Sequence, residues 1–150
     1  MTKRWLRATA IAICGGMGLA LPLSADEDNE MLEQVAAFTA AGPQGQRLPL
    51  TAVTDFEWDT VRGFSGTTPI ALYRKALGED FELDDAIIRE LTDDSAVLIF
   101  LKDGQVVRQE VFGPPVFLSG LNGEAWDRQH AILVVHTKDP GPYSVIKFAQ

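Results

Sequence analysis

Cysteine occurs once in these 150 residues, at position 14, and histidine twice, at 130 and 136. A single cysteine excludes an intrachain disulfide. Cys14 also sits inside the apolar N-terminal stretch, so the rest of the chain has no thiol chemistry. With no thiolate available, a zinc site would need distant carboxylates beside the histidines. His130 and His136 are expected on one strand, on one face, about 20 Å apart at the rise of roughly 3.3 Å per residue. That is too far for one metal. Positive charge is also scarce: 13 basic residues face 21 acidic ones, a formal net charge of −8. Phosphate backbones need a basic surface, so nucleic acid is excluded as a partner. Anionic lipid is excluded on the same ground.

Motifs that carry chemistry are missing as well. No Gly-x-Ser-x-Gly occurs, and Gly120-Leu121-Asn122-Gly123 lacks the lysine and the following helix of a phosphate loop. His136 would serve as a base, but nothing in the sequence places a nucleophile beside it. Among 21 acids no pair can be selected for glycoside chemistry. Asp80-x-Glu82-x-Asp84-Asp85 offers oxygen ligands at alternate positions, yet lacks the turn glycine and closing glutamate of a calcium loop. A solvated acidic helix start explains it more simply. No metal and no cofactor is expected.

What is present begins with an export signature. Lys3, Arg4 and Arg7 precede the apolar stretch Ala8 to Leu23, and Ser24-Ala25 then meets Asp26-Glu27-Asp28. Basic head, apolar core and small residue describe a secretory signal peptide, residues 1–25, cut after Ala25. Leu23 is larger than the residue usual at that distance from the cut. The competing reading is a retained anchor, against which stand Gly15, Gly16, Gly18 and Pro22. Cys14 follows the bulky Ile13, unlike a lipid-attachment cysteine, and reads as part of the signal. The expected location is therefore periplasmic or secreted, with membrane contact during export alone. Loss of residues 1–25 removes three basic and no acidic residues and takes the formal charge from −8 to −11.

The strongest fold signal is Ser95–Phe112. Val97 to Leu101 is an unbroken apolar run, Asp103-Gly104 follows, and a second β-rich run begins. A two-residue Asp-Gly link suits a type I′ hairpin, which needs φ > 0 at both central positions. The first arm lacks polar alternation and should be covered on both faces. Residues 26–45 read as a helix, Glu27–Ala41, and a linker around Gly42-Pro43-Gln44-Gly45. Residues 46–150 read as one α+β domain. Within it, Leu48–Thr54 and the stretch from Phe56 through Arg62 read as strands, with Trp58 as core anchor. Thr67 or Thr68 should cap a helix with Pro69 in its first turn and Gly78 at its end. Ile70, Leu72, Tyr73 and Leu77 are its apolar candidates. A second helix, Leu83–Leu91, offers Ala86, Ile87 and Leu91. Residues 113–125 read as loop, and Ala131–His136 and Tyr143–Phe148 as strands. The architecture predicted is a mostly antiparallel sheet of five or six strands with short helices on one face.

Phe56-Glu57-Trp58-Asp59-Thr60-Val61, the Pro-led helix ending in Leu77-Gly78, and Phe100-Leu-Lys-Asp-Gly104-Gln-Val106-Val107 carry a resemblance. Over roughly residues 53–112 the chain resembles a family of small uncharacterised bacterial envelope proteins, several of them lipoproteins. That family has a Phe-x-Trp-Asp-x-Val strand, a Pro-Tyr loop, a short helix and a hairpin of this type. Here Ser65-Gly66-Thr67-Thr68-Pro69 lacks the Pro-Tyr pair. The resemblance implies an envelope location and no established activity.

Two aromatic and charged clusters stand out: Trp58, Asp59 and Arg62, and Trp126, Asp127 and Arg128. Trp58 reads as core, and Trp126 as a loop residue after Gly123. The leading expectation is a small acidic protein without catalytic activity that binds a basic envelope or secreted protein, as an inhibitor or immunity-type protein does. Its binding surface would use Ser65, Thr67, Thr68, Glu79, Asp80, Glu82, Asp84, Asp85 and Trp126. The alternative is a periplasmic protein for a small ligand, and the third reading a hydrolytic enzyme. The sequence does not specify an oligomeric state.

Overall fold

A computed structural model describes residues 30–138 and 143–150; residues 1–29, which include the expected signal peptide and the expected start of the first helix, and residues 139–142 lie outside the described residues. It shows a single α+β domain of three helices and eight strands. The helix α1 spans Glu30–Ala41, with Glu30 and Glu33 in its first turn, where carboxylates suit the helix dipole. Met31, Val35 and Thr39 recur four apart and are buried, so α1 is docked in the core. The Gly42 N–H ends it by bonding to Phe38 O at 3.0 Å.

Strand β1 is short, Arg47–Pro49, and a 3-10 turn over Leu50–Ala52 replaces the rest of the expected strand. Strand β2 runs Thr60–Ser65, beginning later than the alternation from Phe56 predicts. The residues before it are fixed individually. The Asp59 N–H donates to Leu101 O at 2.9 Å, and Asp59 Oδ2 accepts from the Asp103 N–H at 2.7 Å. Trp58 is core, as expected: its Nε1–H bonds to Thr54 Oγ1 at 3.0 Å and its ring meets Phe100 edge-on at 5.2 Å.

Strands β3 (Ala96–Lys102) and β4 (Gln105–Phe112) form the predicted hairpin, with φ of 51° at Asp103 and 76° at Gly104. Strand β6, Asn122–Asp127, lies on the far side of β2. The sheet order is therefore β4-β3-β2-β6, all antiparallel. The second sheet has the order β1-β7-β8-β5, with β7 at Ile132–Lys138, β8 at Ser144–Phe148 and β5 at Val116–Leu118. Eight strands in two sheets thus replace the expected single sheet of five or six. The surplus comes from residues 113–125, read as loop, which supply β5 and most of β6. Three-residue β5 is too short to show a period, and it pairs in parallel with β8.

The main core lies between the sheets, where Val61, Leu98 and Phe100 meet Leu133, Val135, Ile146 and α1. A second cluster lies on the other face of the β3 sheet. There Val97 and Ile99 pack with Phe64 beneath α2 (Ile70–Leu77) and α3 (Asp85–Glu90), which supply Tyr73 and Ile87. Strand β3 is covered on both faces, the condition its apolar run requires. Burying a side chain of this size contributes about 1.5–3 kcal/mol relative to exposure.

Candidate binding surfaces

The helical layer on the outer face of the β3 sheet carries all but one of the residues expected to bind. Pro69 stands at the N-cap of α2, and no side chain caps the helix there. Thr67 and Thr68 are therefore not caps. Their hydroxyls each lie 3.1 Å from Ser65 Oγ, within a turn closed by the Thr68 N–H donating to Ser65 O at 3.0 Å. Tyr73, Ala76 and Leu77 form the inward stripe of α2. Ile70 and Leu72, expected in the core, are 41% and 51% exposed. Eight residues give little more than two turns, so one stripe alone can face the sheet.

Tyr73 is the pivot of this layer. Its ring stacks on Phe64 at 4.1 Å and on Phe81 at 5.8 Å. Burial pushes its phenol up to about 12. Its hydroxyl has no hydrogen-bond partner among the described residues.

Gly78, at φ 116°, ends α2 with its N–H on Arg74 O at 2.8 Å. The chain then turns through the acidic stretch. Phe81 points in, and its carbonyl accepts from Arg74 Nε at 3.2 Å. The Gln109 side chain of β4 then holds the backbone twice: its Oε1 accepts from the Asp84 N–H at 3.1 Å, and its Nε2–H donates to Glu82 O at 3.2 Å. The backbone is pinned and the carboxylates of Glu79, Asp80, Glu82, Asp84 and Asp85 are left in solvent. Glu90, Asp93 and Asp94 extend the series, so residues 79–94 carry eight acids against one base, Arg89. None of the eight is in an ion pair among the described residues. In α3 only Ile87 of the three residues offered to the core is buried; Leu91 is half-buried, Ala86 is exposed, and Ile88 is 53% exposed.

Trp126 does not belong to this surface. It lies on β6, not in a loop, and its register partner is Val61, whose side chain faces the core between the sheets. Its ring stacks on Phe148 at 3.8 Å. The strand's two-residue period puts it, with Val61, on the opposite side of the sheet from Phe64 and the helical layer that carries the acids. Trp58 and Arg62, four apart, would share a face on a continuous strand; Trp58 precedes β2 and faces the core between the sheets, while Arg62 lines the outer face.

Between α2 and the start of β6 runs a groove of about 460 Å³, lined by Arg62, Ser65, Thr68, Leu72 and Lys75 among others. Gly123 lets the start of β6 lie against the Phe64 ring at the edge of the groove. It has φ 81°, and a Cβ there would lie 2.9 Å from the Phe64 ring. Its carbonyl accepts from Arg62 Nη1 at 2.8 Å, which aims the guanidinium along the groove.

The histidines are placed differently from expectation. His130 precedes β7 in a turn, where Asp127 Oδ1 accepts from the N–H groups of Gln129 and His130 at 2.9 and 3.0 Å. His130 Nδ1 lies 2.7 Å from Asp127 Oδ2. That bond, with the backbone donors, lowers the Asp127 pKa below its ordinary value. The pair is exposed, and its partners are those of a capped turn. His136 is the extra residue of a bulge in β7, where Val135 pairs with Ile146 and Thr137 with Val145. It is exposed beside Arg47 and Lys147 on the outer face of the second sheet.

Among the described residues no group of three or more His, Cys, Asp or Glu is placed to hold a metal, and no helix is long and apolar enough to cross a membrane. No family model, curated protein or solved structure matches this chain.

Proposed function

We propose that this chain is a small exported protein without catalytic activity that binds a basic envelope or secreted protein, as an inhibitor or immunity-type protein does. The observation that carries the reading is the unneutralised layer at residues 79–94: eight exposed carboxylates, with the backbone at Glu82 and Asp84 held by Gln109. A fixed array of one sign steers and orients an oppositely charged partner. Ile70, Leu72 and Ile88, exposed on the same layer, supply the apolar contacts that such an interface needs at its centre. The export signature and the resemblance to envelope proteins agree with this reading. Trp126 has no part in it.

The test is capture from envelope extract by residues 26–150, at low and high salt, beside a variant carrying Lys at 79, 80, 82, 84 and 85. The expected result is one basic protein held at low salt, released at high salt and absent with the variant. Capture that is insensitive to both salt and charge reversal would sink the proposal. So would the absence of any captured protein.

A further inference from the structure

The groove between α2 and β6 runs against the charge of everything around it. Two cations line it, Arg62 from β2 and Lys75 from α2, and no carboxylate does. Arg62 is half-buried, and a guanidinium has five N–H donors. The bond to Gly123 O uses one of them, and it is the single hydrogen bond found for this side chain among the described residues. Neither Arg62 nor Lys75 joins an ion pair, although eight acids follow within twenty residues of Lys75 on the same layer. A partly desolvated cation such as Arg62 is unfavourable unless paired, and an acidic chain that leaves it without an ion pair beside the exposed Lys75 in one groove leaves room for an outside anion.

The rest of the lining defines that anion further. Ser65 and Thr68 hydroxyls stand at one end. Leu72 and Ala76 form an apolar wall, with Phe64 and Leu121 beneath. The volume of about 460 Å³ lies within the ordinary range for small-molecule sites. We propose that the groove binds a small amphiphilic anion, its carboxylate or phosphate head between Arg62 and Lys75 and its short apolar body along Leu72 and Ala76. Arg62 offers the head a planar fork already aimed by Gly123, and Lys75 adds a point charge. This proposal is independent of the acidic surface and stands if no protein partner exists.

The test titrates the purified protein by calorimetry with three probes that share one octyl tail: nonanoate, octyl phosphate and octyl glucoside. The anions should saturate a single site, and octyl glucoside should not. The tighter of the two anions identifies the head group. Lys75 is exposed and makes no side-chain hydrogen bond or ion pair among the described residues, so Lys75→Glu should keep the fold, checked by circular dichroism, and weaken anion binding by about tenfold or more. Amide shifts on titration should centre on Thr68 and Gly123. Equal binding of octyl glucoside would reduce the groove to an apolar patch and overturn the proposal. Unchanged affinity in Lys75→Glu, or no binding of either anion, would also overturn it.

Discussion

On the far side of β3 from the core lie Tyr73, Phe81 and Ile87; on the far side of β7 the described residues place no helix. The two sheets share one core and differ in this second face. In the β3 sheet, Val97 and Ile99 are as deeply buried as Leu98 and Phe100. In the β7 sheet the outward row Arg47, Val134 and Lys147 is half-buried or exposed, while its inward neighbours Leu133, Val135 and Ile146 are buried. The difference shows how a strand's composition follows from its surroundings. Two covered faces demand an unbroken apolar run, and one covered face permits alternation. It also divides the charge. The covered sheet bears its acids on the helices laid over it, whereas the bare sheet exposes Arg47, His136 and Lys147 directly on its strands.

Four substitutions break or sharpen that contrast. Phe100→Ala, in the doubly covered strand, should cost about 3–5 kcal/mol in denaturant unfolding, since the cavity cannot collapse from either side. Its packing against both Phe56 and Trp58 makes relaxation difficult. Tyr73→Phe should act in the opposite direction and stabilise by about 1 kcal/mol, because it removes a buried hydroxyl with no partner. The wild type should also lose stability in alkali. With the phenol raised to about 12 in the folded state, folding favours the protonated form. That stability is complete below the unfolded value of about 10 and is lost as pH rises towards the folded value. In a Tyr143→Phe background, absorbance titration of the one remaining tyrosine should find it near 12. A midpoint near 10 would show that the helical layer does not seal this ring.

Val134→Thr, on the bare face, should change stability by no more than about 0.5 kcal/mol. A loss comparable to that of Phe100→Ala would mean that something covers the face. The smallest effect belongs to Asp127→Asn. The carboxyl is lowered in the folded state, so its contribution is present at neutral pH and is lost as pH falls through that lowered value. Acid unfolding curves of wild type and variant should therefore converge at low pH and separate slightly near neutrality.

Much of this was legible along the chain because it depends on near neighbours. The Asp103-Gly104 turn, the stop at Gly78, the inward alternation of Ser144, Ile146 and Phe148, and the buried Trp58 all follow from local backbone preference or a short period. The candidate surface was half legible. The acids of 79–85 are exposed, as a binding surface requires, whereas of the three hydroxyl residues Thr67 is exposed and Ser65 and Thr68 are half-buried. Lys75 was not singled out, since one lysine on a short helix carries no signal. Trp126 was misplaced because six residues of β6 with glycine near the start resemble a loop, and the side it faces is set by pairing with Val61.

By itself, then, the sequence determined the class of fold, the doubly buried strand, the hairpin that follows it and the strongly acidic face, because composition, turn chemistry and periodicity act over a few residues. Tertiary structure alone decided that the strands divide into two sheets, that β5 joins β8 in parallel, and that Arg62 and Lys75 line one groove. Each of these depends on register between segments far apart in the chain, and a shift of one residue would turn every side chain of a strand to its other face.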